Sequence, residues 1–113
     1  RDFTFCPVVL DYDIDGPMNR ELKYALLSIL REALSNIARH SGASEASVTL
    51  REHPALFQLI VHDNGRGLPP GPAHGIGLRN IADRVAAFGG HLELTSAQGL
   101  RVFISIPKEA DSP

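Results

Sequence analysis

Cysteine is nearly missing from these 113 residues: Cys6 stands alone, which excludes an internal disulfide and any metal site built from several thiolates. A lone thiol fits a reducing compartment, and its expected role is that of a partly buried apolar group. Long apolar runs are missing too. None approaches the ~20 residues that span a bilayer, and the N-terminus lacks the basic-then-apolar layout of a secretory signal. The chain opens on Arg1 rather than on methionine, so it reads as a piece of a longer protein, one domain over residues 1–113. Neither sign of charge is in excess. A formal net charge of -2 leaves no electrostatic footprint for a nucleic-acid backbone or an anionic membrane, so any phosphate binding has to be local. His53, His62, His74 and His91 are scattered, without metal-ligand spacing among themselves or with Cys6, and surface or structural roles are expected of them. There is no internal repeat and no low-complexity tract.

What is present suits one folded domain. Hydrophobic residues make up 43% and charged residues 21%, far from the composition of disordered chains. A chain of this length buries roughly two-thirds of its unfolded surface. VVLDYDI over 8–14 reads as a strand ended by Asp15-Gly16-Pro17. Over 19–40, Leu22, Leu26, Ile29, Leu30, Ala33 and Ile37 recur at steps of three and four, the period of an amphipathic helix, with Asn19 as N-cap and Ser41-Gly42 as stop. ASVTLRE at 46–52 and LFQLIVHD at 56–63, parted by His53-Pro54-Ala55, form an antiparallel hairpin. Residues 64–77 hold five glycines and three prolines in fourteen positions, too many breakers for a regular element, and loops of that length in compact domains are usually functional or disordered. A second helix is expected over 78–88, with Leu78, Ile81, Ala82, Val85 and Phe88 on one face and a stop at Gly89-Gly90. Strands at 91–96 and 100–107 close the domain around Gln98-Gly99. Helices set apart from a mostly antiparallel, mixed sheet predict an α+β fold, a two-layer α/β sandwich with the helices on one face.

Three features carry chemistry. Glu32, Asn36 and His40 fall at i, i+4 and i+8 of the long helix, a polar stripe bordering the apolar face. A carboxylate and an amide one turn apart offer the oxygen ligands that magnesium takes alongside waters and phosphates. A solvated helix face has the same pattern, so spacing alone leaves both readings open. Asp63-Asn64-Gly65-Arg66-Gly67 puts an acid at the end of an apolar strand, next to two glycines that allow close backbone approach to a ligand. The same pentapeptide is also ordinary turn chemistry. Gly75-Ile76-Gly77-Leu78 places two glycines immediately before a helix, where free N–H groups and the helix dipole favour a phosphate.

Together, in this order, REALSNIARH (31–40), DNGRG (63–67) and GIGL (75–78) resemble the N, G1 and G2 boxes of the histidine kinase ATP-binding catalytic domain. That domain, the Bergerat fold, is shared with gyrase, Hsp90 and MutL. The short lid and LRNIADRVAAFGGHLEL (78–94) look like the subfamily of nitrate- and antibacterial-stress-type sensors, and the resemblance runs from Leu22 to Pro107. It implies a transferase that binds ATP and Mg2+ and, in a two-component system, passes the γ-phosphate to a histidine. Asn36 would hold the metal, Glu32 would act as a polarising or general-base carboxylate, and Arg39 stands where the family usually has a lysine near the phosphates. His40 would lie beside the nucleotide, Asp63 would accept the adenine amino group, and Gly65 and Gly67 would shape the adenine pocket. Gly75, Ile76, Gly77 and Leu78 would line the phosphate path, and residues 64–77 would form the ATP lid.

No histidine here sits in a helix like the family's phosphoacceptor segment. The implied partners are therefore dimerisation and phosphoacceptor helices elsewhere in the receptor and a response regulator. Nucleic acid and direct membrane contact are not among them. The resemblance places this fragment in the cytoplasm; its oligomeric state stays open, with a monomer expected. Two alternatives stay open, a serine kinase of the anti-sigma-factor type and a degenerate domain kept as a regulatory or interaction module. One departure from the family pattern bears on the second. Gln98-Gly99-Leu100-Arg101-Val102 is a short turn that puts Leu100 where the family has threonine. The missing hydroxyl contact costs on the order of 1 kcal/mol, about tenfold in affinity.

Overall fold

The computed structural model describes residues 6–67, 75–96 and 98–108, and only the backbone of 40–41 and 75–77. Within them run β1 (Val8–Asp13), α1 (Arg20–Asn36), β2 (Ala46–Glu52), β3 (Leu56–Asp63), α2 (Gly75–Ala87), β4 (His91–Ser96) and β5 (Leu100–Pro107), with one turn of π-helix, Ile37–Ser41, continuing α1. The strands form a single sheet in the order β1-β2-β3-β5-β4. The β1–β2 pair is parallel, because a helical crossover joins the two strands, and the other three pairs are antiparallel. This is the expected mixed sheet.

Alternation explains the layers. Ala46 and Val48 of β2, Phe57, Leu59 and Val61 of β3 and Val102, Ile104 and Ile106 of β5 are buried at every second position, as a sheet with one covered face requires. Against that face lie Leu22, Leu26, Ile29 and Ala33 of α1, then Ile37, and Leu78, Ile81 and Val85 of α2. α1 and α2 pack on each other, α1 on β3 and α2 on β4. Strand β1, at the sheet edge, is exposed at all six residues.

Most expected boundaries hold, including both hairpins. Asn19 caps α1 as expected, its Oδ1 accepting from the N–H groups of Glu21 (2.8 Å) and Leu22 (3.2 Å), two of the donors that a helix start leaves open. Three expectations need correction. Strand β1 stops at Asp13, one residue short of the expected run. The first helix is α-helical only to Asn36 and finishes as the π-turn. The second starts at Gly75 instead of Leu78, so the paired glycines form its first turn. Of the expected lid, residues 68–74 lie outside the described residues.

Candidate functional site

The inward rhythm of β3 places Phe57, Leu59, Val61 and then Asp63 on the covered face. Asp63 is 2% exposed and is the one buried polar or charged residue among those described. A buried carboxylate is unfavourable unless hydrogen-bonded. Asp63 Oδ1 accepts from the N–H of Gly65 at 2.7 Å, so the carboxylate also folds its own turn. The turn reading and the site reading of this pentapeptide thus describe the same residues.

That turn is clamped on two sides. From one side, Asn64 Oδ1 accepts from the N–H groups of Ser44 (2.9 Å) and Glu45 (3.1 Å), and Asn64 Nδ2 donates to Ser44 Oγ (3.0 Å). The Asn64 N–H donates to the Glu45 carbonyl at 3.2 Å. Gly42 packs against the Arg66 guanidinium, where a Cβ would come within 3.1 Å of Nη2. These contacts tie the loop that follows α1 to the end of β3. From the other side comes the β4–β5 turn. A Cβ on Gly99 would sit 1.9 Å from the Asp63 carbonyl oxygen, and one on Gly67 would sit 2.4 Å from Ser96 Oγ. Sequence reasoning missed Gly42, Ser44, Ser96 and Gly99 as parts of this scaffold. Turn composition at Gln98-Gly99 signalled that a turn was there, and nothing local told what it would touch.

At the C-terminal end of α1, Glu32 and Asn36 are half-buried, as expected of a stripe bordering the core. Arg39 joins them. Its Nη2 donates to Asn36 Oδ1 at 3.3 Å and lies 3.8 Å from Glu32 Oε2, and its Nε donates to the Ser35 carbonyl at 3.4 Å. His40 follows on the π-turn, with its side chain outside the described residues.

Gly75, Ile76, Gly77 and Leu78 make up the first turn of α2, where backbone N–H groups have no partner within the helix. The Leu78 side chain is 8% exposed and belongs to the core, which leaves only its backbone for a ligand. Leu100 also packs against the core from the β4–β5 turn. Its side chain is apolar, where the resemblance expects a threonine hydroxyl. Far from these motifs, at the opposite end of the sheet, Glu52 accepts from Lys108 Nζ at 2.7 Å and from the N–H groups of Asp15 and Gly16. Those bonds, the one from Lys108 first, hold its carboxyl down at about 2.

Comparison with known proteins points to a family. The sequence pattern described as histidine kinase-, DNA gyrase B-, and HSP90-like ATPase matches residues 22–110. The signal transduction histidine-protein kinase/phosphatase UhpB of Salmonella typhimurium is 34% identical over 101 residues, covering 88% of this chain and 20% of its own length. The sensor histidine kinase LiaS of Bacillus subtilis is 34% identical over 96 residues, covering 82% and 27%. The chain therefore spans only about a fifth to just over a quarter of the length of these two relatives. Among solved structures, the histidine kinase domain of the Erythrobacter litoralis EL346 blue-light activated kinase superposes with a TM-score of 0.72 at 22% identity, over 89% of this chain and 52% of that one. The mycobacterial sensor histidine kinase MprB superposes with a TM-score of 0.64 at 21% identity, over 88% and 81%. These two show a shared fold. With the family pattern running over most of its length, the chain belongs to the histidine kinase-, DNA gyrase B-, and HSP90-like ATPase family.

Proposed function

We propose that this chain is the ATP-binding catalytic domain of a cytoplasmic two-component sensor kinase. In the intact kinase it would bind Mg-ATP and present the γ-phosphate to a histidine on separate dimerisation helices, from which a response regulator takes the phosphate. The domain is residues 1–113, its lid is 64–77, and the isolated fragment is a monomer without affinity for nucleic acid. Among the described residues no helix is long and apolar enough to cross a membrane.

The observation that carries this reading is Asp63, a carboxylate 2% exposed at the end of an otherwise apolar strand face. A group held there gains by accepting a strong hydrogen bond from a ligand, and the exocyclic amine of adenine supplies one. Gly65 and Gly67 shape the pocket for the base through the turn that they form after it. The N–H groups of Gly75 and Gly77, in the first turn of α2, meet phosphate oxygens along the helix dipole. Arg39, from the turn after α1, would pair with the same phosphates, and Glu32 takes the proton of the attacking histidine or polarises that ring.

The oxygens of Glu32 and Asn36 fit magnesium. They are hard donors on one helix flank and already share a cationic neighbour in Arg39. Magnesium held by Asn36 would neutralise charge on the triphosphate. The remaining work is positioning, which dominates phosphoryl transfer.

The test is calorimetric titration of the chain with ADP and with a non-hydrolysable ATP analogue, each with and without magnesium, repeated on Asn36→Ala. Magnesium-dependent binding that Asn36→Ala loses while keeping the fold is the expected result. An absence of binding up to millimolar nucleotide would mean a degenerate regulatory module, the reading that Leu100 favours.

A further inference from the structure

The π-turn at Ile37–Ser41 widens the backbone immediately after Asn36, and such turns cluster at functional sites. Arg39, the third residue of that turn, reaches three acceptors on α1: Asn36 Oδ1 at 3.3 Å, the Ser35 carbonyl at 3.4 Å and Glu32 Oε2 at 3.8 Å. All three distances are long beside the usual 2.9 Å of an N–H···O bond. The Arg39 side chain is 51% exposed, and half-exposed ion pairs of this kind hold weakly. The contact therefore orders the two oxygens without locking them.

We propose that Arg39 is a placeholder cation: in the ligand-free domain its guanidinium occupies the Glu32–Asn36 oxygen pair, and on nucleotide binding it exchanges that pair for phosphate oxygens, leaving Asn36 Oδ1 to the metal. The inference rests on the nucleotide-site reading above and adds a sequence of events to it. The planar guanidinium fork matches phosphate better than it matches an amide and a carboxylate held at such distances, so nucleotide wins the competition. A guanidinium and a divalent cation repel each other at one oxygen pair, so the metal comes to Asn36 only after Arg39 has left. Arg39 thereby couples metal entry to nucleotide entry and acts on the metal as a positioning residue.

The experiment follows the Arg39 Nε–H and the Asn36 side-chain amide by 15N-resolved NMR in the 113-residue chain. Metal-free ADP is added first, and Mn2+ alone is titrated into separate samples. ADP without metal is expected to shift both resonances. In Arg39→Ala, Mn2+ alone is expected to broaden the Asn36 amide at a concentration about five- to tenfold lower than in the parent chain, with Arg39→Lys in between. Should ADP shift resonances of the 63–67 turn while the Arg39 Nε–H and Asn36 amide stay still, or should Arg39→Ala leave the Mn2+ response unchanged, the placeholder role is wrong and the nucleotide site survives. Should ADP shift nothing, the nucleotide-site reading falls and takes this role with it.

Discussion

Gly99→Ala tests how the β4–β5 turn holds the site. Gly99 has φ 95°, and a Cβ there would lie 1.9 Å from the Asp63 carbonyl oxygen, 2.8 Å from the Asp63 carbonyl carbon and 2.9 Å from the Asn64 Cα. All three are backbone atoms, so no flexible side chain can swing aside. The left-handed conformation costs a residue with a Cβ about 1–2 kcal/mol, and forcing an extra methyl into packed structure adds about 1–3 kcal/mol. The expected loss is therefore about 2–5 kcal/mol, a large share of the ~5–15 kcal/mol that holds a domain folded. Gly89→Ala is the internal control. Its φ is 71°, and nothing lies within 4 Å of the added Cβ, so it incurs the conformational cost alone, about 1–2 kcal/mol. Urea titrations followed by circular dichroism measure both losses, and nucleotide titrations of the surviving folded protein measure the rest. Gly99→Ala should also weaken ADP binding, because its methyl pushes on Asp63 itself, whereas Gly89→Ala should leave binding intact. Equal stability losses in the two variants would refute the packing of this turn on Asp63.

Two other predictions concern Leu100 and Glu52. Leu100→Thr introduces a hydroxyl at the start of β5, the strand paired with β3, and is expected to tighten ADP binding about tenfold, at a cost of about 1–2 kcal/mol in packing; unchanged affinity would mean that the hydroxyl has no bearing on this site. Glu52 is held at about 2, against an ordinary 4.5, by Lys108 and the Asp15 and Gly16 N–H groups. A depressed folded-state value means that its contribution is complete above about 4.5 and drains away as pH falls toward 2. The difference in stability between the parent chain and Glu52→Gln should therefore shrink across that window, as read from urea midpoints at successive pH values, and a difference that does not vary with pH would rule out the carboxylate as its source.

The elements and the three motifs were legible in the sequence because they rest on local rules. The step of three and four from Leu22 to Ile37 reports one apolar helix face, the alternation in LFQLIVHD reports one covered strand face, and Asn19 caps by bonding two residues on. Candidate residues for the chemistry were legible as residue types at fixed spacings, and the order of the three motifs made the family legible. The miss at α2 has a physical cause. Glycine costs a helix about 1 kcal/mol relative to alanine, which argues for a start at Leu78, but tertiary packing overrides propensity. Leu78, Ile81 and Val85 seat the helix on the core, and its first turn extends back through Gly77 and Gly75. The π-turn after Asn36 was not legible, since one widened turn keeps Ile37 buried just as an α-helix would.

By itself, the sequence determined which face each segment buries, where the helices and hairpins lie to within a few residues, and which residue types could meet a nucleotide. The tertiary structure alone decided who neighbours whom. It set β5 between β3 and β4 and made β1 a parallel edge strand, because periodicity describes a segment's exposure and carries no address for its partner. It brought Gly99 and Ser96 against the DNGRG turn and Asn64 onto Ser44 and Glu45, contacts between segments nineteen or more residues apart that no local pattern encodes.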